Sequence, residues 1–207
     1  MAPRFILASS SPRRRELLTQ AGYVCAIVEP SVVEIAEPWL TARELTTCNA
    51  TRKALAVARV TPHAVVLAAD TLVALDGDII GKPANLAEAA NFIRRLSGQA
   101  HEVWTAVFIC DSRRGEARGF SEMSRVFFRK LSEVDIATYL AKISPLDKAG
   151  AYAAQGHGAE IIDRIEGSYS NVVGLPMEKT TRVLRLLGIV PRPQTVSGTS
   201  GATTAGE

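Results

Sequence analysis

The chain has 207 residues, of which 47% are hydrophobic and 22% charged, with a formal net charge of +3. That length allows one sizeable α/β domain or two small lobes, and the composition is that of a globular protein. The charge is too small for a dedicated nucleic-acid binder with its basic stripe or face, and Cys25, Cys48 and Cys110 lack metal or disulfide spacing and read as reduced thiols.

Strand-like and helix-like segments alternate, which predicts an α/β class. Residues 5–8 read as a short strand. The serine run Ser9, Ser10, Ser11 and then Pro12 open a helix that runs to Gly22. Ser11 can accept from a free amide there, and Pro12 has no N–H to waste at the first helical position. Residues 24–28 are a second apolar run. Pro38 precedes a long helical segment over residues 40–60. The run AVVLAAD reads as a buried strand ending at Asp70, and TLVALDGDII continues as a hairpin turning at Asp76-Gly77. A helix over residues 86–96 closes at Gly98. HEVWTAVFICD and SRVFFRKL read as two further strands, and Ser132 caps a helix to about Lys142. DKAGAYAAQGHGAE reads as a loop with a short helical turn. AEIIDRIEGSYSNVVGLP is strand-like and then turns at Gly174 and Pro176. A last amphipathic helix covers residues 177–187. The small, polar tail predicts disorder over residues 191–207, leaving residues 1–190 as a single domain. The chain's first residues lack a signal peptide's apolar stretch, and no run nears the ~18 residues of a membrane helix, so a soluble cytoplasmic protein is expected.

Four segments carry candidate chemistry. Arg13, Arg14 and Arg15 sit in a first helical turn, where each cation opposes the helix dipole by a few tenths to about 1 kcal/mol. An anion held by amides, hydroxyls and guanidinium groups would offset that cost; a solvated basic helix start is the plainer alternative. The segment is not a Walker loop. Asp70 closes an apolar run, and ligands gather at the carboxyl ends of strands in α/β folds. A carboxylate there can hold a metal or take a proton from water, or it can simply begin a turn. Thr71 beside it can bind a ligand or just fit a strand. Lys53, Lys82 and Glu34 read by default as surface residues. In PLDKAGAYAAQG, small residues beside Asp147, Lys148 and Gln155 let a backbone approach a ligand, and Gln155 offers a donor and an acceptor to the edge of a base. His101 reads as structural. There is no Ser-His-Asp signature and no His/Cys cluster for zinc. Cations for phosphates, carboxylates for a hard metal and a water, and an amide for a base together suit cleavage of a nucleoside polyphosphate.

The segments LASSSPRRREL, RKA, AADTLV, GKP, LSGQAHEVWTAV, PLDKAGAYAAQG and GSYSNVVGLP occur in that order. In that order they resemble the Maf family of nucleoside triphosphate pyrophosphatases, from Arg4 to about Leu187. The resemblance implies a mixed α/β sheet with two lobes around a central cleft, similar to inosine triphosphate pyrophosphatases, and a homodimer. It implies hydrolysis between the α- and β-phosphates of dTTP and UTP, because the family's branch acting on 7-methyl-GTP carries a different sequence at the DKAGAY segment. By the same resemblance, Asp70 is the catalytic carboxylate that takes the proton of the attacking water. Ser9, Ser11, Arg13 and Arg14 bind phosphate; Glu34, Lys53 and Lys82 surround the triphosphate and metal; Arg13, Thr71 and Gln155 bear on substrate choice. Glu34 and Asp70 would hold Mg²⁺ or Mn²⁺, and Arg15 is a surface residue. The stretch around Glu34 fits the family pattern loosely. No membrane and no stable nucleic-acid complex is expected. A nucleotide- or nucleic-acid-binding regulator of cell division without turnover, and a phosphatase releasing terminal phosphate, are the rival readings.

Overall fold

The structure is a computed structural model that describes residues 3–192. Seven strands form one mixed sheet. β1 (Arg4–Leu7), β2 (Ala26–Ile27) and β3 (Ala64–Leu75) are parallel, and β4 (Asp78–Ile80) turns back on β3. β5 (Ala100–Asp111), β6 (Glu116–Phe128) and β7 (Ile162–Glu166) follow antiparallel, giving the order β2-β1-β3-β5-β6-β7 with β4 paired to β3.

Local sequence accounts for most element boundaries. α1 (Pro12–Gln20) starts at its proline. α2 (Ala42–Val60) starts two residues later than the sequence suggested, because Thr41 and Glu44 form a reciprocal capping box. Asn85 caps α3 (Leu86–Leu96), and Ser132 with Asp135 caps α4 (Glu133–Leu140). Asp76 and Gly77 both take positive φ, 52° and 89°, as a two-residue hairpin of this hand requires. A 3₁₀ turn at Ala149–Ala151, α5 (Gly158–Ile161), α6 (Tyr169–Val173) and α7 (Met177–Leu186) complete the chain.

Four expectations need correction. Ser11 makes no side-chain cap; instead Ser9 Oγ accepts from the Ser11 amide at 3.1 Å. β6 begins at Glu116, well before the predicted SRVFFRKL, because its polar first half pairs with the second half of β5, from Thr105 to Asp111. The segment from Ala159 is strand only at Ile162–Glu166, and Ser168 caps a helix, α6, where the strand-like run was expected to continue before the turn at Gly174. Most consequentially, β3 does not end at Asp70 but runs five residues past it. Of the tail, only Pro191 and Arg192 lie within the described residues, and the Arg192 amide donates to the Gly22 carbonyl at 2.9 Å.

β3 is buried along nearly its whole length, as a central strand should be. β5 covers one edge of it from Val65 to Ala74. The other edge is shared: β1 pairs with Ala64–Leu67 and β4 with Val73–Leu75, which leaves residues 68–72 without a strand on that side. The core divides at the same level. On one side of that level, Leu7, Leu18, Val65, Leu67 and Leu184 pack with α1 and α7 on one face of the sheet, while Ile6, Ala54, Val57 and Val66 pack with α2 on the other. On the other side, Val73, Leu75, Ile93, Ile136 and Tyr139 pack with α3 and α4. These are the two lobes, and the uncovered stretch of β3 is the floor of the cleft between them.

Candidate active site

A cleft of about 760 Å³ opens over that floor. The parallel register pairs Leu7 with Leu67, so the chain leaving β1 delivers Ser9, Ser10 and Ser11 beside Asp70. Strand alternation then separates two neighbours. Asp70 shares a face with Val66 and Ala68, toward α2, and Thr71 shares the opposite face with Val65, Leu67 and Ala69, toward α1 and α6. Ala106 stands opposite Asp70 and Thr105 opposite Thr71 on β5.

On the α2 face, Lys53 Nζ donates to Asp70 Oδ1 at 2.6 Å and to Glu34 Oε1 at 2.5 Å. Asn49 lies one turn earlier on the same helix, and its Nδ2 is 3.5 Å from Asp70 Oδ2. Asn49 also clamps the backbone of Ile35, accepting its amide at 2.7 Å and donating to its carbonyl at 3.1 Å. That clamp fixes the irregular segment bearing Glu34. The Lys53 and Asp70 side chains are only 11% and 8% exposed, whereas Glu34 is half-exposed at 48%. Burial pushes the Asp70 carboxyl above the usual range, although Lys53 and Arg14 pull it back. Burial also pushes Glu34 up, but the Lys53 hydrogen bond and charge outweigh it and leave Glu34 below its ordinary value.

On the opposite face, Arg14 spreads its guanidinium over three acceptors. Nε donates to the Gly174 carbonyl at 2.8 Å, one terminal nitrogen to Ser9 Oγ at 3.2 Å and the other to Thr71 Oγ1 at 3.0 Å. Desolvation lowers its pKa, partly offset by Asp70. Thr71 Oγ1 is 2.9 Å from Thr105 Oγ1, and Thr105 donates to the Asn171 carbonyl at 3.0 Å. Arg13 reaches across the cleft to Asp147 at 3.1 Å, and Asp147 also pairs with Lys148 at 2.5 Å.

Every candidate named from the sequence lines this one cleft: Ser9, Ser11, Arg13, Arg14, Glu34, Lys53, Asp70, Thr71, Lys82 and Gln155. Their engagement differs. Lys82 is exposed, while Arg14 is already bonded to protein on three nitrogens. Arg15 is exposed and outside the lining. Asn49, Thr105 and Gly174 were not singled out. The spacing of Asn49 and Lys53 on a predicted helix was a usable signal for Asn49; Thr105 becomes visible only through the β3–β5 register. His101 is structural, as expected: its Nε2 is 2.8 Å from the Tyr152 hydroxyl, and burial depresses its pKa to about 4.

The family comparison decides what this cleft belongs to: residues 4–187 match the family described as Maf-like protein. The chain belongs to the Maf family. Among curated Maf relatives, a dTTP/UTP pyrophosphatase of Pelotomaculum thermopropionicum is 44% identical over 183 residues, covering 88% of this chain and 96% of the relative. One from Bacillus velezensis is 44% identical over 91% of this chain and 99% of its own. One from Deinococcus radiodurans is 45% identical over 91% and 95%. A solved structure, the Staphylococcus aureus Ham1 protein, aligns with 60% of this chain and 71% of its own at 14% identity and TM-score 0.40, too weak a likeness to inform the site. No helix among the described residues is long and apolar enough to cross a membrane.

Proposed function

We propose that this Maf-family chain hydrolyses dTTP and UTP between the α- and β-phosphates, giving the nucleoside monophosphate and pyrophosphate. The observation that carries the reading is the convergence of two charge sets on one cleft: the Asp70–Lys53–Glu34 cluster on the α2 face of β3, and Arg13 and Arg14 with Ser9 on the other face, with Lys82 also in the lining. The names of relatives matching about 90% of the chain supply the reaction and the bases.

In this reading Asp70 takes a proton from the attacking water. A buried carboxylate with a raised pKa is a stronger base than a solvated one, and the Lys53 ammonium keeps it ionised and oriented. The remaining N–H groups of Arg14, together with Arg13 and Lys82, stabilise charge as it develops on the phosphates. Ser9 and Ser11 hold the loop that presents them. Gln155 offers a donor and an acceptor to the base.

The donor set fits a hard divalent cation. Asp70 and Glu34 both lie within bonding distance of one ammonium, so their oxygens converge. Among the described residues no group of three His, Cys, Asp or Glu side chains gathers into a full protein cage. Mg²⁺ typically binds through one or two carboxylates, with substrate phosphates and waters supplying the rest. Asp70 and Glu34 are therefore the proposed ligands of Mg²⁺ or Mn²⁺, which when bound would neutralise phosphate charge. A homodimer and a cytoplasmic location remain part of the proposal.

The test is a turnover panel of dTTP, UTP, CTP, GTP, ATP and 7-methyl-GTP with Mg²⁺ or Mn²⁺. The expected result is pyrophosphate from dTTP and UTP ahead of the purine nucleotides. Preferred release of orthophosphate, or preferred hydrolysis of 7-methyl-GTP, contradicts the reading.

A further inference from the structure

The hydroxyl chain behind Thr71 has a direction that can be counted proton by proton. Thr105 is fully buried, and its Oγ1 lies 3.0 Å from the Asn171 carbonyl oxygen. Two oxygens that close need a proton between them, and a carbonyl has none, so the Thr105 hydroxyl supplies it. Thr105 then has no proton left for Thr71, 2.9 Å away. The proton in that contact belongs to Thr71. Arg14 meanwhile donates to Thr71 Oγ1 at 3.0 Å. The hydroxyl of Thr71, which lines the cleft, is therefore spent as a donor and has one lone pair left.

We propose that Thr105, acting with the Asn171 carbonyl, is a specificity-positioning residue that locks Thr71 as an acceptor-only contact for the imide N3–H of uracil and thymine. An ionised triphosphate offers only acceptors, so an acceptor-only hydroxyl is of no use to it. Thr71 also faces away from the Asp70–Lys53–Glu34 cluster. The ligand groups it can serve are donors. Uracil and thymine present N3–H where cytosine presents an unprotonated N3, so a fixed acceptor favours the first two and faces a lone pair in the third. The inference rests on the proposed reaction and deepens it to the atom that is read.

The experiment compares kcat/KM for UTP, dTTP and CTP, by pyrophosphate release, in the wild type, Thr105→Ser, Thr105→Val and Thr105→Ala. Serine keeps the hydroxyl and should preserve the UTP-over-CTP ratio. Valine and alanine free the Thr71 proton to turn toward the cleft, and should cut that ratio by about tenfold, with CTP losing least. Thermal melts identify which variants fold, and either valine or alanine suffices. Equal loss for all three nucleotides, as a structural role or a sugar-hydroxyl contact would give, overturns the inference. So does an unchanged ratio in a folded variant, or a wild type that takes UTP and CTP equally. A wild type that releases no pyrophosphate from any of them overturns instead the reaction on which the inference rests.

Discussion

Asp70 and Thr71 are adjacent on one strand, yet the two faces they occupy are built on different physics. On the α2 face, formal charges are paired, Lys53 and Asp70 nearly out of solvent and Glu34 half-exposed, so its state depends on protons and cations. On the α1 face, backbone carbonyls hold the Arg14 guanidinium and the Thr105 hydroxyl, which between them hold the Thr71 hydroxyl, and what matters is which atom owns each proton. On the proposed reading one strand supports rate and choice separately, because alternation sends successive side chains to different neighbours. Substitutions on the two faces should separate accordingly.

The largest effect is expected from Asp70→Asn, which removes the proposed base without changing shape. Turnover should fall by roughly 10²–10⁴-fold or more. The variant should still fold, because the asparagine oxygen can accept from Lys53 and Glu34 still pairs with the ammonium. Because burial raises the folded-state pKa of Asp70, its ionisation opposes folding once pH rises past the unfolded value, and the penalty is complete above the folded value. Thermal melts should therefore favour the variant over the wild type more at pH 7 than at about pH 4. Lys53→Gln comes next. It leaves Asp70 and Glu34 facing each other without their shared cation, and breaking such a buried pair costs about 3–5 kcal/mol. Glu34 is half-exposed, so a denaturant midpoint should report the low end of that range, with activity lost as well.

His101, buried against Tyr152 and outside both charge sets, gives a third comparison. Its folded pKa is depressed from 6.5 to about 4 by burial, so the unfolded chain binds its proton first as pH falls. Stability should drop between those two values, and His101→Gln should flatten that part of the stability–pH curve. Gln155→Glu should reorder the nucleotide panel more than it changes the best rate; an unchanged order would remove Gln155 from base recognition. Arg15→Ala should be the smallest, within about twofold of wild type, because the side chain is exposed and outside the cleft.

Much of this was legible in the sequence where the cause is local. Pro12 marks the start of α1, Asp76-Gly77 the hairpin, and Ser132 the start of α4. The candidate residues were legible as types in ordered motifs, and the structure brings all of them to the lining of one cleft. What was not legible depends on pairing between distant segments. Asp70 looked like a strand end because a carboxylate rarely follows six buried apolar residues inside a strand. It sits mid-strand because β1 and β4 split one edge of β3 and leave it room. Thr105 and Asn171 gain meaning only from the β3–β5 register and from α6, a helix too short to show a period. Arg14 looked like a free phosphate ligand, and no local pattern shows that it is also bonded to Gly174, 160 positions away.

The most direct measurement is the product analysis of UTP with Mg²⁺, with pyrophosphate and orthophosphate detected separately, for the wild type and Asp70→Asn side by side. Pyrophosphate and UMP in equal amounts from the wild type, and neither from the folded variant, is the expected result. Orthophosphate from the wild type, or undiminished pyrophosphate from Asp70→Asn, would contradict the role given to the carboxylate on the floor of the cleft.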